Sequence, residues 1–126
     1  MEEVTVRTED RLAAIDITDR IEATLAADAT GTATVFVQHT TAAVTINEAE
    51  SRLLTDFEDA LAQLIPDTGW QHDTIDDNAD AHLRAMLVGP SATVPVVDGS
   101  LALGTWQSVI FIECDGPRSR TVQVLV

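Results

Sequence analysis

Three histidines, at positions 39, 72 and 82, are the side chains of this sequence best suited to bind a metal ion. The gaps of 33 and 10 residues between them match no local zinc motif, so a shared ion requires the fold to bring the rings together. Three neutral imidazoles around one ion leave a fourth position open, which is the arrangement of catalytic zinc. Taken singly, each histidine is better explained as an exposed or hydrogen-bonded side chain than as a metal ligand. If the fold brings His39, His72 and His82 together, they would form such a site.

A carboxylate and two arginines supply the other reactive groups. Glu48 follows Asn47 at the end of a threonine-rich segment, where it could orient an imidazole or act as a general base. Arg118 and Arg120 stand out because the chain has only seven basic residues, all of them arginine. They could bind a phosphate through two hydrogen bonds each, or pair with local acids. Hydrogen bonds to a substrate are predicted for the side chains of Thr40, Asn47, Asn78 and Gln107.

The net charge of −14 comes from 21 acidic and 7 basic residues. Phosphate backbones require clustered Lys and Arg, so we expect no nucleic-acid partner. The lack of lysine and the even spread of acids indicate a halophilic acidic protein, adapted to a salt-rich cytosol. A Debye length of about 3 Å in 1 M salt allows carboxylates to crowd a surface. An acidic surface that docks a basic partner is the alternative.

Length and hydrophobicity predict a single domain over residues 1–126. The apolar share of 45% is enough for one core, whereas a second domain would lack an interior. Cys114 has no second cysteine to pair with, and the acidic N-terminal segment does not resemble a signal peptide. No apolar stretch is long enough to span a bilayer. We therefore expect a cytoplasmic protein with no membrane partner.

Apolar spacing predicts two or three helices, over residues 17–25, 50–65 and 79–88. Thr18 or Asp19 is expected to cap the first helix, and Asn78 the third. Pro66 is expected to stop the second, because proline lacks the backbone N–H that a helix requires. A polar loop is predicted to follow over residues 66–78.

Alternating or β-branched segments predict strands over residues 4–8, 12–17, 33–38, 43–46, 92–97, 101–103, 105–113 and 120–126. Asp98-Gly99 and Asp115-Gly116 are typical of hairpin turns. The strands and helices do not alternate regularly, which argues against a parallel sheet. We therefore predict an α+β fold built on antiparallel β-sheets.

The candidate residues lie within a set of motifs that covers nearly the whole chain. The most specific are VFVQHTTAAVTINE at residues 35–48 and LGTWQ at residues 103–107. The others are Asp56, WQH at residues 70–72, NADAHL at 78–83, GPS at 89–91, VPV at 94–96, DGPR at 115–118 and Arg120. With these motifs in this order, the sequence resembles the YjbQ-like family.

The resemblance implies a compact α+β domain of antiparallel sheets that assembles as a homotrimer. It also implies metal binding through the histidines of these motifs, which are His39, His72 and His82 here. Some members are described as secondary thiamine-phosphate synthases, which join hydroxymethylpyrimidine diphosphate to thiazole phosphate. One departure is Trp70, which stands where the family more usually has tyrosine.

Together these observations predict a trimeric, metal-binding enzyme that acts on a small phosphorylated metabolite with thiamine-phosphate-synthase-like transferase activity. Zinc suits three imidazoles, whereas diphosphate chemistry more often uses magnesium, so magnesium could serve in turnover. Arg118 and Arg120 would neutralise the departing diphosphate. Two alternatives remain open: a metal-dependent hydrolase of a phosphorylated or acyl substrate, and a non-catalytic metabolite-binding trimer.

Overall fold

The computed structural model describes residues 1–126. In chain order the strands are β1 (Glu2–Arg7), β2 (Ala13–Asp16), β3 (Gly31–Val37), β4 (Ala42–Asn47), β5 (Ser91–Val97), β6 (Ser100–Leu101), β7 (Ser108–Glu113) and β8 (Ser119–Leu125). The helices are α1 (Thr18–Glu22), α2 (Ser51–Leu64) and α3 (Ala79–Val88), with a short 3-10 helix at Gln71–Thr74. None of the helices has the length and hydrophobicity needed to cross a membrane.

The strands form two antiparallel sheets, as the α+β prediction requires. The larger sheet has the order β1-β8-β3-β5-β6, and the smaller one has the order β2-β7-β4. Strand β7 is buried on both faces, because its side chains alternate between two cores. Val109 and Phe111 pack between the two sheets, while Ile110 and Ile112 pack against α2 and α3. The molecule is therefore layered as sheet, sheet and helices.

Helix α2 was predicted most closely. Its apolar stripe faces the small sheet, Glu50 accepts a hydrogen bond from the Leu53 N–H at 2.8 Å, and the helix ends before Pro66. Helix α3 also has the predicted extent and ends at Gly89. The predicted loop over residues 66–78 contains the 3-10 helix, which the sequence patterns missed.

Of the predicted helix caps, Asn78 is the N-cap residue of α3 but makes no side-chain cap hydrogen bond, and Thr18 and Asp19 lie inside α1 rather than at its N-cap. Helix α1 spans only five residues, and the Thr18 N–H donates to the Asp16 carboxylate at 3.0 Å, so an acid upstream occupies the capping role. Asn78 donates instead to Asp115 at 2.9 Å, and Asp73 accepts from the Ala79 N–H at 3.2 Å. In both helices a side chain from a neighbouring turn satisfies the free backbone donor.

Asp98-Gly99 forms the predicted hairpin between β5 and β6, with both residues at positive φ. Asp115-Gly116 does not, because it joins β7 in the small sheet to β8 in the large one. Strand β7 also begins later than the predicted residue 105. The chain turns there, with the Gln107 N–H donating to the Gly104 carbonyl at 3.0 Å.

Candidate functional site

A polar cavity of about 410 Å³ lies where the two sheets and α3 meet. It is lined by Gln38, His39, Thr40, Thr41, Asp76, Asn78, His82, Asp115, Arg118 and Arg120. Six of these ten are residues that the sequence analysis selected, from segments separated by up to 81 positions. The fold therefore gathers His39, Thr40, Asn78, His82, Arg118 and Arg120 at one place.

Strand pairing explains how these segments meet. Strands β3 and β8 are antiparallel neighbours with Val37 opposite Val122, so the residues just after β3 face the first residues of β8. This register places His39 beside Thr121, whose backbone N–H donates to His39 Nε2 at 2.9 Å. Helix α3 then brings His82 against the same opening.

His39 is held as a neutral ring. Burial lowers its pKa, the charges of Arg120 and Arg118 lower it further, and Glu113 only partly opposes them. Because a backbone N–H can only donate, Nε2 is the unprotonated nitrogen and the neutral ring carries its proton on Nδ1. His39 thus offers the cavity a donor, while its lone pair is already engaged.

Arg120 is anchored from behind by a carboxylate that sequence analysis did not select. Glu113 is fully buried and accepts hydrogen bonds from Arg120 Nε, Arg120 Nη2, the Asp115 N–H and the Thr8 hydroxyl, the last at 2.7 Å. Arg120 Nη2 also donates to the Thr41 hydroxyl at 2.9 Å. The network ties four chain segments together and fixes the guanidinium against the cavity. Arg120 Nη1 has no partner within the chain and remains able to donate.

Arg118 is more loosely held. Its side chain is about half exposed and donates to the Asp115 carboxylate at 3.1 Å and to the Asp115 carbonyl at 2.8 Å. Asp115 in turn accepts from Asn78, whose own Oδ1 is buried without a partner. The cavity therefore contains two arginines and two aspartates, and its electrostatic character is mixed rather than strongly positive.

His72 and His82 form a perpendicular pair with ring centroids 5.0 Å apart. His72 Nε2 is buried without a hydrogen-bond partner, and the nearest carboxylate oxygen, on Asp76, is 3.7 Å away. These two rings are near enough to share an ion, whereas the Nε2 lone pair of His39 is occupied by Thr121. In this arrangement no three His, Cys, Asp or Glu side chains are grouped as a metal-ligand set.

Two further cavities adjoin the polar one, and His82 lines all three. The first, of about 450 Å³, is lined by Trp70, Gln71, His72, Ala79, His82 and Leu83. The second, of about 540 Å³, lies between the end of β3 and α3, where Phe36, Met86 and Pro90 form its apolar side. His82 therefore separates a polar centre from two more apolar spaces.

Three predicted residues lie elsewhere. Asn47 ends β4 and Glu48 follows it, while Gln107 precedes β7 at the register where Asn47 pairs with Ser108. Along β4, Asn47 lies about 17 Å from Ala42, the residue next to Thr41, at 3.3 Å per residue. The structure brings these three together at the far end of the small sheet, and not to the histidines. Asp56 is exposed on α2.

Architecture and cavities together define the class: a layered α+β domain with a polar, histidine- and arginine-lined opening between its sheets and its third helix. Residues 2–126 match the family described as UPF0047 protein YjbQ-like. The chain belongs to this family, as the sequence motifs predicted.

Known proteins agree closely with this assignment. A UPF0047 protein of Methanothermobacter thermautotrophicus is 48% identical over 99% of this chain and 90% of its own length. The UPF0047 protein YugU of Bacillus subtilis is 38% identical over 94% of this chain and 92% of its own. The crystal structure of a hypothetical protein from Aeropyrum pernix superposes with a TM-score of 0.93 at 46% identity, covering 98% of this chain and 95% of that one.

Proposed function

We propose that this protein is a transferase for small phosphorylated metabolites, of the secondary thiamine-phosphate-synthase type. In that reaction hydroxymethylpyrimidine diphosphate is joined to thiazole phosphate, and diphosphate leaves with the electron pair of the broken C–O bond. The arrangement of cavities carries the proposal. A two-substrate reaction needs room for two organic groups around a phosphate-binding centre, and two cavities flank the polar one at His82.

Five residues that line the polar cavity would have roles in this reaction. Arg118 and the free Nη1 of Arg120 would donate to phosphate oxygens and balance the charge of the departing diphosphate. The neutral His39 would donate through Nδ1. Thr40 and Asn78 would supply further hydrogen bonds that fix the orientation of the substrate. Because both arginines already have acidic neighbours, binding depends on their geometry more than on net charge.

Removal of Arg118 tests the proposal directly. We expect Arg118→Ala to lower thiamine phosphate formation about a hundredfold, the usual loss when a donor to a developing anion is deleted. Turnover should be measured in molar potassium chloride, with each substrate omitted in turn. Arg52→Ala is the matched control. It removes the same charge from a side chain of α2 that is 91% exposed.

Equal turnover in the two variants would exclude Arg118 from the site. Binding of both substrates without any turnover would instead support the non-catalytic metabolite-binding function.

The closeness of His72 and His82 favours a second candidate, a metal-dependent hydrolase of a phosphorylated or acyl substrate. Two imidazoles with centroids 5.0 Å apart, one with an unpartnered buried nitrogen, suit zinc better than magnesium. Such an ion would supply a Lewis acid and an activated water. Within the chain, His72 and His82 would hold it and His39 would remain bonded to Thr121.

Metal content separates the two candidates. If the hydrolase proposal is right, purified protein contains zinc, His82→Ala loses it, and His39→Ala retains it because the His39 lone pair is engaged elsewhere. Elemental analysis of the three proteins gives the answer. Equal metal content in His82→Ala and the parent protein would remove His82 as a ligand.

We also propose that the chain forms a homotrimer adapted to high salt. A net charge of −14 repels itself most strongly when salt is low, so we expect the assembly to dissociate or unfold as potassium chloride falls from molar to about 0.05 M. Sedimentation equilibrium across this range measures the change. A mass and a fold that stay constant in all salts would contradict the adaptation to salt.

A further inference from the structure

We propose that the cavity beside Trp70 binds the flat nitrogen heterocycle of a phosphorylated substrate, with the Trp70 indole against its face and His72 Nε2 bonded to its edge. The inference rests on the transferase proposed above, because it places the substrate's phosphate in the adjoining polar cavity. It gives Trp70 and His72 the task of selecting the ring.

The cavity walls suit a flat ring. Its volume of about 450 Å³ exceeds what a single heterocycle needs, and its lining combines an indole and two imidazoles with the aliphatic side chains of Ala79 and Leu83. Aromatic side chains favour planar partners through stacked or edge-to-face contacts. A non-aromatic group would not gain these ring-to-ring contacts.

Trp70 is fixed before any ligand arrives. Its indole Nε1–H donates to the Pro66 carbonyl at 2.8 Å, and its backbone N–H donates to the Asp73 carboxylate at 3.2 Å. The polar edge of the indole is therefore already satisfied within the chain, so it offers a ligand no hydrogen bond. Trp70 is 37% exposed, yet hydrogen bonds hold both its backbone and its indole. Its ring is therefore a preorganised surface.

His72 adds a polar requirement to the apolar surface. Its Nε2 is shielded from solvent and has no partner, and the Asp76 oxygen at 3.7 Å is beyond hydrogen-bond distance. A buried polar atom without a partner is costly, and a ring nitrogen or exocyclic amine would satisfy it. A ring with no polar edge would leave it unsatisfied.

His82 connects the ring to the phosphate. It lines both this cavity and the polar one that holds Arg118 and Arg120. A heterocycle joined to phosphate through a short linker can therefore occupy both spaces at once, with the linker passing His82.

Tryptophan fluorescence tests the proposal, because the chain has two tryptophans and Trp106 lies outside the three cavities, 73% exposed. In Trp106→Phe protein, hydroxymethylpyrimidine phosphate should quench Trp70, phenyl phosphate should bind more weakly, and glycerol phosphate should leave the fluorescence unchanged.

Calorimetry should show that Trp70→Leu weakens hydroxymethylpyrimidine phosphate binding about tenfold or more, the loss expected for a stacking partner. Trp106→Phe should bind as the parent does. His72→Phe keeps a ring without a nitrogen and should remove the preference over phenyl phosphate.

The outcomes separate this inference from the function on which it rests. If the three phosphates bind equally and Trp70→Leu changes none of them, the ring site is wrong and the phosphate centre stands. If unphosphorylated hydroxymethylpyrimidine quenches Trp70 but no phosphate adds affinity, the ring site stands and the phosphate centre is wrong. If nothing binds, both are wrong.

Discussion

Glu113→Ala is expected to cost about 3–5 kcal/mol of folding free energy, because it leaves a buried guanidinium without its counter-charge. Arg120 is 3% exposed and has few alternative partners, namely the Thr41 hydroxyl and carbonyl. The Thr8 hydroxyl also loses its carboxylate acceptor. Urea unfolding at fixed potassium chloride measures the loss.

Two variants show whether the loss comes from the unpaired charge. Glu113→Leu combined with Arg120→Leu removes both charges and should recover much of the stability, although the proposed phosphate site would lose a donor. Glu3→Ala removes one carboxylate from the exposed side of β1 and should stay within about 0.5 kcal/mol of the parent. A Glu113→Ala protein as stable as Glu3→Ala would mean that the pair contributes nothing.

The same pair gives stability a defined pH dependence. Burial alone would raise the pKa of Glu113, but the hydrogen bonds from Arg120, the Asp115 N–H and Thr8 outweigh it and hold the pKa below its ordinary 4.5. A carboxyl whose pKa is lower in the folded state contributes stability above pH 4.5 and loses it as pH falls through the folded value. Glu113→Gln should lack this acid-labile part of the unfolding free energy.

Local patterns were enough for most of the elements. Helix α2 follows from its stripe and Pro66, and the β5–β6 hairpin follows from Asp98-Gly99, because such signals act over a few residues. Asp115-Gly116 carries the same local signal, but its flanking strands pair in different sheets. Which strands become neighbours depends on contacts between distant segments, and no dipeptide encodes that choice.

The sequence indicated which residue types form the candidate site, but only partly which of them the fold brings together. His39 and the two arginines meet because β3 pairs with β8, and α3 adds His82, an arrangement that spacing along the chain does not reveal. Glu48 was misplaced for the same reason, since β4 carries it away from the histidines. Glu113 was missed inside the apolar run of β7. Its one signal was a carboxylate in an otherwise uncharged strand, in a chain where acids are common.

Arg84→Ala is expected to destabilise the protein by a similar amount, about 3–5 kcal/mol, because this side chain fastens the two long helices together. Arg84 is 2% exposed, and its Nε donates to the Leu61 carbonyl at 3.0 Å while its Nη2 donates to the Ile65 carbonyl at 2.8 Å. Both carbonyls lie in the last turn of α2, where Leu61 also accepts from the Ile65 N–H at 3.3 Å and Ile65 is the residue at which the helix ends. Its Nη1 pairs at 2.6 Å with Asp80, which is 1% exposed.

Comparison variants separate the geometry of this arginine from its charge. Arg84→Lys keeps the charge but lacks the planar fork, so it should recover only part of the loss. Arg20→Ala removes an exposed arginine of α1 and should change the unfolding free energy by about 0.5 kcal/mol at most. If Arg84→Ala proved no less stable than Arg20→Ala, the packing of α2 against α3 would not depend on the Arg84 hydrogen bonds.

The contacts of Arg84 also bear on the candidate site, since α3 carries both Arg84 and His82, two residues apart. Asp80 binds a second arginine, Arg11, through two hydrogen bonds of 2.8 and 2.9 Å, which fixes the start of α3 against the loop before β2. Loosening α3 would therefore move His82 relative to the three cavities that it lines. We expect Arg84→Lys, measured where it remains folded, to weaken substrate binding even though Arg84 lines none of the three cavities. Unchanged binding in a folded Arg84→Lys protein would show that strand contacts alone hold His82 in place.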